Sequence, residues 1–140
     1  MSGAAVSKTI LHIDDDPDDR ELLQDVVKSL DPSVVVLQAE NGKIGIEILQ
    51  FSKLEGNLPN LIILDLNMPI MNSYETYVAI NKDEELSAIP LILFTTSITF
   101  LGGQNWNEKQ ITMYVKPASY KDYKDRLKNI LNYSNRLSTH

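Results

Sequence analysis

Residues 61–64, Leu-Ile-Ile-Leu, are apolar at every position and run straight into Asp65. A strand with one face in water would alternate apolar and polar residues. Unbroken apolarity describes a strand buried on both faces, as in a parallel sheet covered by helices. Such a sheet needs helical segments between its strands.

The rest of the chain supplies them. "TILHI", residues 9–13, reads as a first strand. Beyond it Asp16 can cap a helix, Pro17 suits the first turn and Asp19 favours the positive helix end. Leu22, Leu23, Val26, Val27 and Leu30 then form one stripe at helical spacing. "DPS" breaks the chain before the β-branched run "VVVLQA". "ENGK" opens a second helix, with Ile44, Ile48, Leu49 and Phe51 as its expected inner face. "SYETYVAINKDEEL", residues 73–86, reads as one continuous third helix closed before Pro90. "PLILFTTS" is a fourth strand and "TMYVK" a short fifth. Between them, residues 98–110 carry Gly102 and Gly103, which interrupt any helix. Ser119 and Asp122 resemble a capping box for a last helix striped by Tyr123, Leu127, Ile130 and Leu131. The tail from residue 132 is expected to fray.

Five strand–helix units joined by short connections describe a doubly wound α/β domain with helices on both faces. The 140 residues suit one domain. Its expected limits are 8–131, with 1–7 and 132–140 as short tails and no output domain. Cysteine is absent, so no disulfide framework or thiolate metal site exists. No apolar run approaches the roughly 18 residues of a membrane helix. The N-terminus lacks a secretion-type apolar core. These features lead to the expectation of a cytoplasmic protein without membrane contact. The net charge of −6 argues against a nonspecific grip on nucleic acid.

Ligands of doubly wound sheets sit beyond the carboxyl ends of the strands. Those ends carry Asp14 and Asp15, Asp65, Thr95 and Thr96, and Lys116. Carboxylates crowded together repel unless a cation compensates. A hard divalent ion such as magnesium accepts oxygen ligands and needs few protein carboxylates because it keeps several waters. Asp14 and Asp15 are read as metal-holding residues, and Asp16, Asp18 and Asp19 as serving the following helix. Asp65 is suited to nucleophilic attack and an aspartyl phosphate. Lys116 and the metal would neutralise the transferring group, and Thr95 would donate a hydrogen bond to it.

"ILHIDDD", "LIILDLNMP", "LILFTTS" and "YVKP" together resemble the marker segments of the receiver domain of bacterial response regulators, over roughly Lys8 to Leu131. The resemblance implies a CheY-like, flavodoxin-like sheet of order 2-1-3-4-5. It implies a two-component phosphorelay module that takes phosphate from a phosphohistidine on a sensor histidine kinase or a histidine phosphotransfer protein, with Mg2+. Asp65 resembles the phosphoacceptor, Asp15 the direct metal ligand and Asp14 the acid acting largely through water. Asn67 matches the position whose backbone carbonyl coordinates the metal. Thr95 matches the switch hydroxyl and Lys116 the lysine, followed by Pro117 across a peptide bond that is typically cis in the family. The aromatic switch position, three before the lysine, is Met113, which would weaken the coupling unless Tyr114 beside it serves in a frame shifted by one. Asn72 and Ser73 stand where Asp-Gly is common, so a strained turn is expected at Ser73. The opening "DDDPDDRELL" most resembles stand-alone receivers, some of which serve phytochrome-type kinases. Output would be contact with a downstream protein, and a homodimer is left open.

Two other classes are weaker. Haloacid-dehalogenase-type phosphatases also use a strand-end aspartate, but need a second acid two residues later, where this chain has Asn67. The expected chemistry is therefore self-phosphotransfer and slow loss of the chain's own phosphate, without turnover of outside substrates. An EF-hand reading of Asp14, Asp16 and Asp18 fails because Asp19 occupies the glycine position and a strand precedes. His12 is expected to be a satisfied strand histidine and His140 to be idle. Trp106 is read as core cover, with a partner anchor as the alternative, and Met68 and Met71 as packing residues.

Overall fold

The computed structural model describes residues 8–66, 73–96 and 111–138, with side chains to residue 132. Five strands, β1 (Thr9–Ile13), β2 (Val35–Ala39), β3 (Leu61–Leu64), β4 (Leu91–Thr95) and β5 (Thr112–Val115), form one parallel sheet of order β2-β1-β3-β4-β5. The described helices are α1 (Pro17–Leu30), α2 (Gly42–Leu54), α3 (Ser73–Asn81), α4 (Glu84–Ser87) and α5 (Tyr120–Ser138). Asn67, Met68, Met71, Asn72, Gly102, Gly103, Trp106 and His140 lie outside the described residues, as does 98–110.

The run 61–64 has both faces buried because each face meets its own helical layer. Leu11, Ile13, Ile62, Leu64 and Leu93 point toward α2, α3 and α4, where Leu49, Ile80 and Leu86 meet them. Ile10, Leu61, Ile63, Ile92 and Phe94 point toward α1 and α5, against Leu23, Val26, Val27, Tyr123, Leu127 and Ile130. The period-two alternation of each strand thus feeds two separate cores.

Local chemistry sets the helix starts. Asp16 accepts a bond from the Asp18 N–H at the head of α1, and Asn41 accepts one from Ile44 at the head of α2. Ser119 Oγ accepts the Asp122 N–H, supplying the cap expected for α5.

Four expectations are corrected. Residues 73–86 are not one helix: Asp83 leaves helical geometry and caps α4, taking the N–H groups of Glu85 and Leu86. Its carboxylate also pairs with Lys53 at 2.8 Å. Phe51 lies outward at 64% exposure, and the inner face of α2 is Gly42, Gly45, Leu49 and Ser52. The small residues let α2 approach β1, so the stripe turns away from Phe51. Ser73 is in no strained turn; it begins α3, buried, with its hydroxyl donating to the Leu66 carbonyl. Finally, α5 continues to Ser138 instead of fraying at 132.

Candidate functional site

The sheet ladder continues one residue past three strand ends and sets the site. The Asp14 N–H donates to the Ala39 carbonyl at 3.0 Å, and the Asp65 N–H donates to Ile13 at 2.9 Å. The Lys116 N–H donates to Thr95 at 2.7 Å. Backbone pairing therefore brings residues far apart in sequence to one rim. Arg20 reaches back from α1 to the Asp14 carbonyl at 2.8 Å, and Asp14 Oδ1 accepts the Asp16 N–H at 3.0 Å.

One carboxylate oxygen from each of Asp14, Asp15 and Asp65 lies within 4.8 Å of the other two. Asp14 is buried and Asp65 nearly so, whereas Asp15 is exposed. Hard oxygen donors converge from two segments and one opens to water. A divalent oxygen-seeking cation fits that donor set, because it can use a few carboxylates and retain its own waters.

Lys116 lies across the acids. Its Nζ donates to Asp14 Oδ2 at 2.9 Å, Asp19 Oδ2 at 3.0 Å and Asp65 Oδ1 at 3.4 Å. Beneath it, the Phe94 ring centroid is 5.8 Å away. That ring packs against Tyr123 at 5.5 Å between centroids. The ammonium thus lies over the aromatic core while its donors are divided among carboxylates.

The acids differ in charge cost. Burial, reinforced by the charges of Asp14 and Asp15, raises the Asp65 pKa to about 6 despite Lys116. Burial also opposes ionisation of Asp14, but His12 and Lys116 outweigh it and hold that carboxyl at about 2. Burial would lower the Lys116 pKa, yet Asp65 and Asp14 overcome it and the ammonium is held above its ordinary value. Asp65 is therefore the acid whose charge the site stabilises least, and the one a cation or bound group would relieve most.

Thr95 is buried at the end of β4, whereas Thr96 is exposed. Leu91 and Leu93 face the α2 side and Ile92 and Phe94 the α5 side, so alternation puts Thr95 on the α2 side. Met113, paired with Leu93, shares that face, whereas Tyr114, paired with Phe94, packs toward α5. A one-residue shift of frame therefore carries Tyr114 to the wrong side of the sheet. Among the described residues no peptide bond is cis, so the Lys116–Pro117 bond departs from the cis form the resemblance implied.

Two residues differ from their expected parts. Asp19, assigned mainly to the helix end, also holds Lys116; its position on the first turn of α1, one turn beyond the strand-end acids, was the available signal. His12 is buried, and among the described residues neither ring nitrogen makes a well-formed hydrogen bond. Its Nε2 stands 3.5 Å from Asp14 Oδ2, too long for a well-formed bond. Burial lowers its pKa, against the opposing pull of Asp14. The strand position forces the ring into the core.

Comparison with known proteins follows the same lines. A family profile described as "Response regulator receiver domain" matches residues 10–127. Histidine kinase P4 of Formosa agariphila is 34% identical over 130 residues, covering 92% of this chain and 9% of that protein. Response regulator Rcp1 of Synechocystis sp. is 32% identical over 97 residues, covering 64% of this chain and 63% of Rcp1. The chain thus spans less than two thirds of the length of either relative. The Mn(2+)-bound crystal structure of Rcp1 superposes with a TM-score of 0.73 at 28% identity, over 88% of this chain and 91% of that one. TrrA of Thermotoga maritima, in complex with Mg(2+)-BeF, gives 0.65 at 25% identity, over 87% and 97%. No helix among the described residues is long and apolar enough to cross a membrane.

Proposed function

The chain belongs to the response regulator receiver family, and from that premise we propose that it is a phosphorelay switch with Asp65 as its acceptor. A phosphohistidine, on a sensor histidine kinase or histidine phosphotransfer protein, presents its phosphorus to an Asp65 carboxylate oxygen. The new O–P bond forms as the P–N bond breaks, and the bonding pair returns to the imidazole nitrogen. Lys116, whose Nζ is already 3.4 Å from Asp65 Oδ1, is placed to neutralise the equatorial phosphoryl oxygens. Thr95, buried at the end of β4, supplies the hydroxyl for a phosphoryl oxygen.

Mg2+ is the cofactor this reading assigns, and Asp14, Asp15, Asp65 and Asn67 are the residues that would hold it. When bound it supplies charge neutralisation and orientation to the transferring group. Solved receivers that carry Mn(2+) or Mg(2+) support the choice of a hard divalent ion.

Phosphorylation then shifts a population between two arrangements, and a downstream protein reads the difference. We assign the packing change that follows Thr95 to Met113, since both side chains lie on the α2 side of the sheet. The chain's own chemistry is self-phosphotransfer and slow hydrolysis of the acyl phosphate. The domain limits remain 8–131 in this reading, consistent with the matched span of 10–127. The 133–138 segment extends α5 as helix.

The observation that carries the reading is the meeting of Asp14, Asp15 and Asp65 with the Lys116 ammonium at one rim. The test is incubation with acetyl phosphate and Mg2+, followed by intact-mass measurement. A phosphate-sized gain in wild type that Asp65→Asn abolishes is expected. A gain that survives the substitution refutes the assignment of Asp65.

A further inference from the structure

An ammonium has three N–H donors. Those of Lys116 are distributed over three carboxylates, at 2.9 Å to Asp14, 3.0 Å to Asp19 and 3.4 Å to Asp65. The two shorter contacts draw Nζ away from the phosphoacceptor. A phosphoryl group on Asp65 would bring further oxygens toward the same ammonium, and one existing partner would have to give way.

The three partners are not equally able to yield. The Asp14 side chain is 1% exposed, so losing Lys116 would leave a buried charge short of its counter-ion. Asp65 is the group being modified. The Asp19 side chain is 33% exposed, and water can take over its hydrogen bonds. Asp19 stands on the first turn of α1, and Asp16, not Asp19, caps that helix. Releasing Lys116 therefore need not undo the helix. The Phe94 ring and the buried Asp14 still hold the ammonium when Asp19 lets go.

We propose that Asp19 is a positioning residue for phosphotransfer, the releasable third partner that holds the Lys116 ammonium back from Asp65 until the phosphoryl group arrives. This rests on Asp65 being the acceptor. Asp19 touches neither phosphoryl group nor metal; it acts through Lys116. Its bond stabilises the resting state and is given up on the way to the phosphorylated one. Removing it should lower the barrier.

The test compares phosphorylation rates of wild type, Asp19→Asn and Asp19→Glu, with acetyl phosphate and Mg2+, by intact mass. Asp19→Asn should react roughly two- to fivefold faster, the range expected for loss of one partly exposed ion pair. Asp19→Glu should return toward the wild-type rate. The Lys116 15Nζ resonance is the second measurement, since a merely structural Asp19 would not move it. It should shift in Asp19→Asn and lie nearer its wild-type position in Asp19→Glu. If wild type itself gains no phosphate, the acceptor reading fails. If wild type is phosphorylated but Asp19→Asn is equal or slower, or the Lys116 resonance stays put, the positioning role is overturned.

Discussion

Replacing Asp65 by asparagine should make the metal-free protein more stable, although it removes the proposed reactive group. Burial and the charges of Asp14 and Asp15 move the Asp65 pKa from its ordinary 3.8 to about 6. At 1.36 kcal/mol per pKa unit, keeping this carboxylate ionised in the fold costs about 3 kcal/mol. The 3.4 Å contact with Lys116, the longest of its three, is already part of that net shift. Asp14 and Asp19 remain, so Lys116 is not stranded, and the net gain should be about 3 kcal/mol well above pH 6. The sign follows from proton binding. A carboxyl whose folded pKa is raised holds a proton that the unfolded chain has released. Wild-type stability from this group is therefore full below about pH 4 and is lost as pH rises through about 6. The advantage of Asp65→Asn should appear over that window and vanish at its acid end. Urea unfolding of both proteins in EDTA at pH 4, 6 and 8 measures it. A variant no more stable than wild type at pH 8, or a difference that does not change between pH 4 and 8, would refute the charge argument. Added Mg2+ should favour wild type selectively, because binding the folded state adds stability by mass action.

Other consequences are local. Asp15→Asn should weaken Mg2+ binding about tenfold or more by calorimetry while changing stability little, since Asp15 is exposed. In Gly45→Ala, the new Cβ would lie 2.5 Å from Ile13 Cδ1 and 3.0 Å from Cγ1, and Ile13 is fully buried with nowhere to move. Overpacking of about 1–3 kcal/mol should exceed the helix-propensity gain of up to ~1 kcal/mol, lowering the urea midpoint. Asp83→Ala should cost about 1 kcal/mol in the same assay through loss of the α4 cap. The salt dependence of that loss should be slight, because the half-buried Lys53 pair still reaches water and contributes little.

Sequence alone determined the class of fold and its punctuation. Four unbroken apolar residues before Asp65 demanded a sheet covered on both sides, and helical stripes at Leu23, Val26 and Val27 or at Tyr123, Leu127 and Ile130 named what covers it. Because parallel strands present their carboxyl ends at one edge, the strand-end residues Asp14, Asp15, Asp65, Thr95 and Lys116 could be picked out together. The tertiary structure decided what periodicity does not encode. The near side of α2 depends on how closely Gly45 can approach Ile13, so Phe51 turned outward. Strand pairing with β4 settled which side chain shares a face with Thr95, placing Met113 there and Tyr114 opposite. The division of one ammonium among Asp14, Asp19 and Asp65 depends on distances of about 3 Å between residues up to 102 positions apart. Local patterns report which face of an element is apolar; charge partners across the chain are set only when the backbone ladder fixes where those elements end.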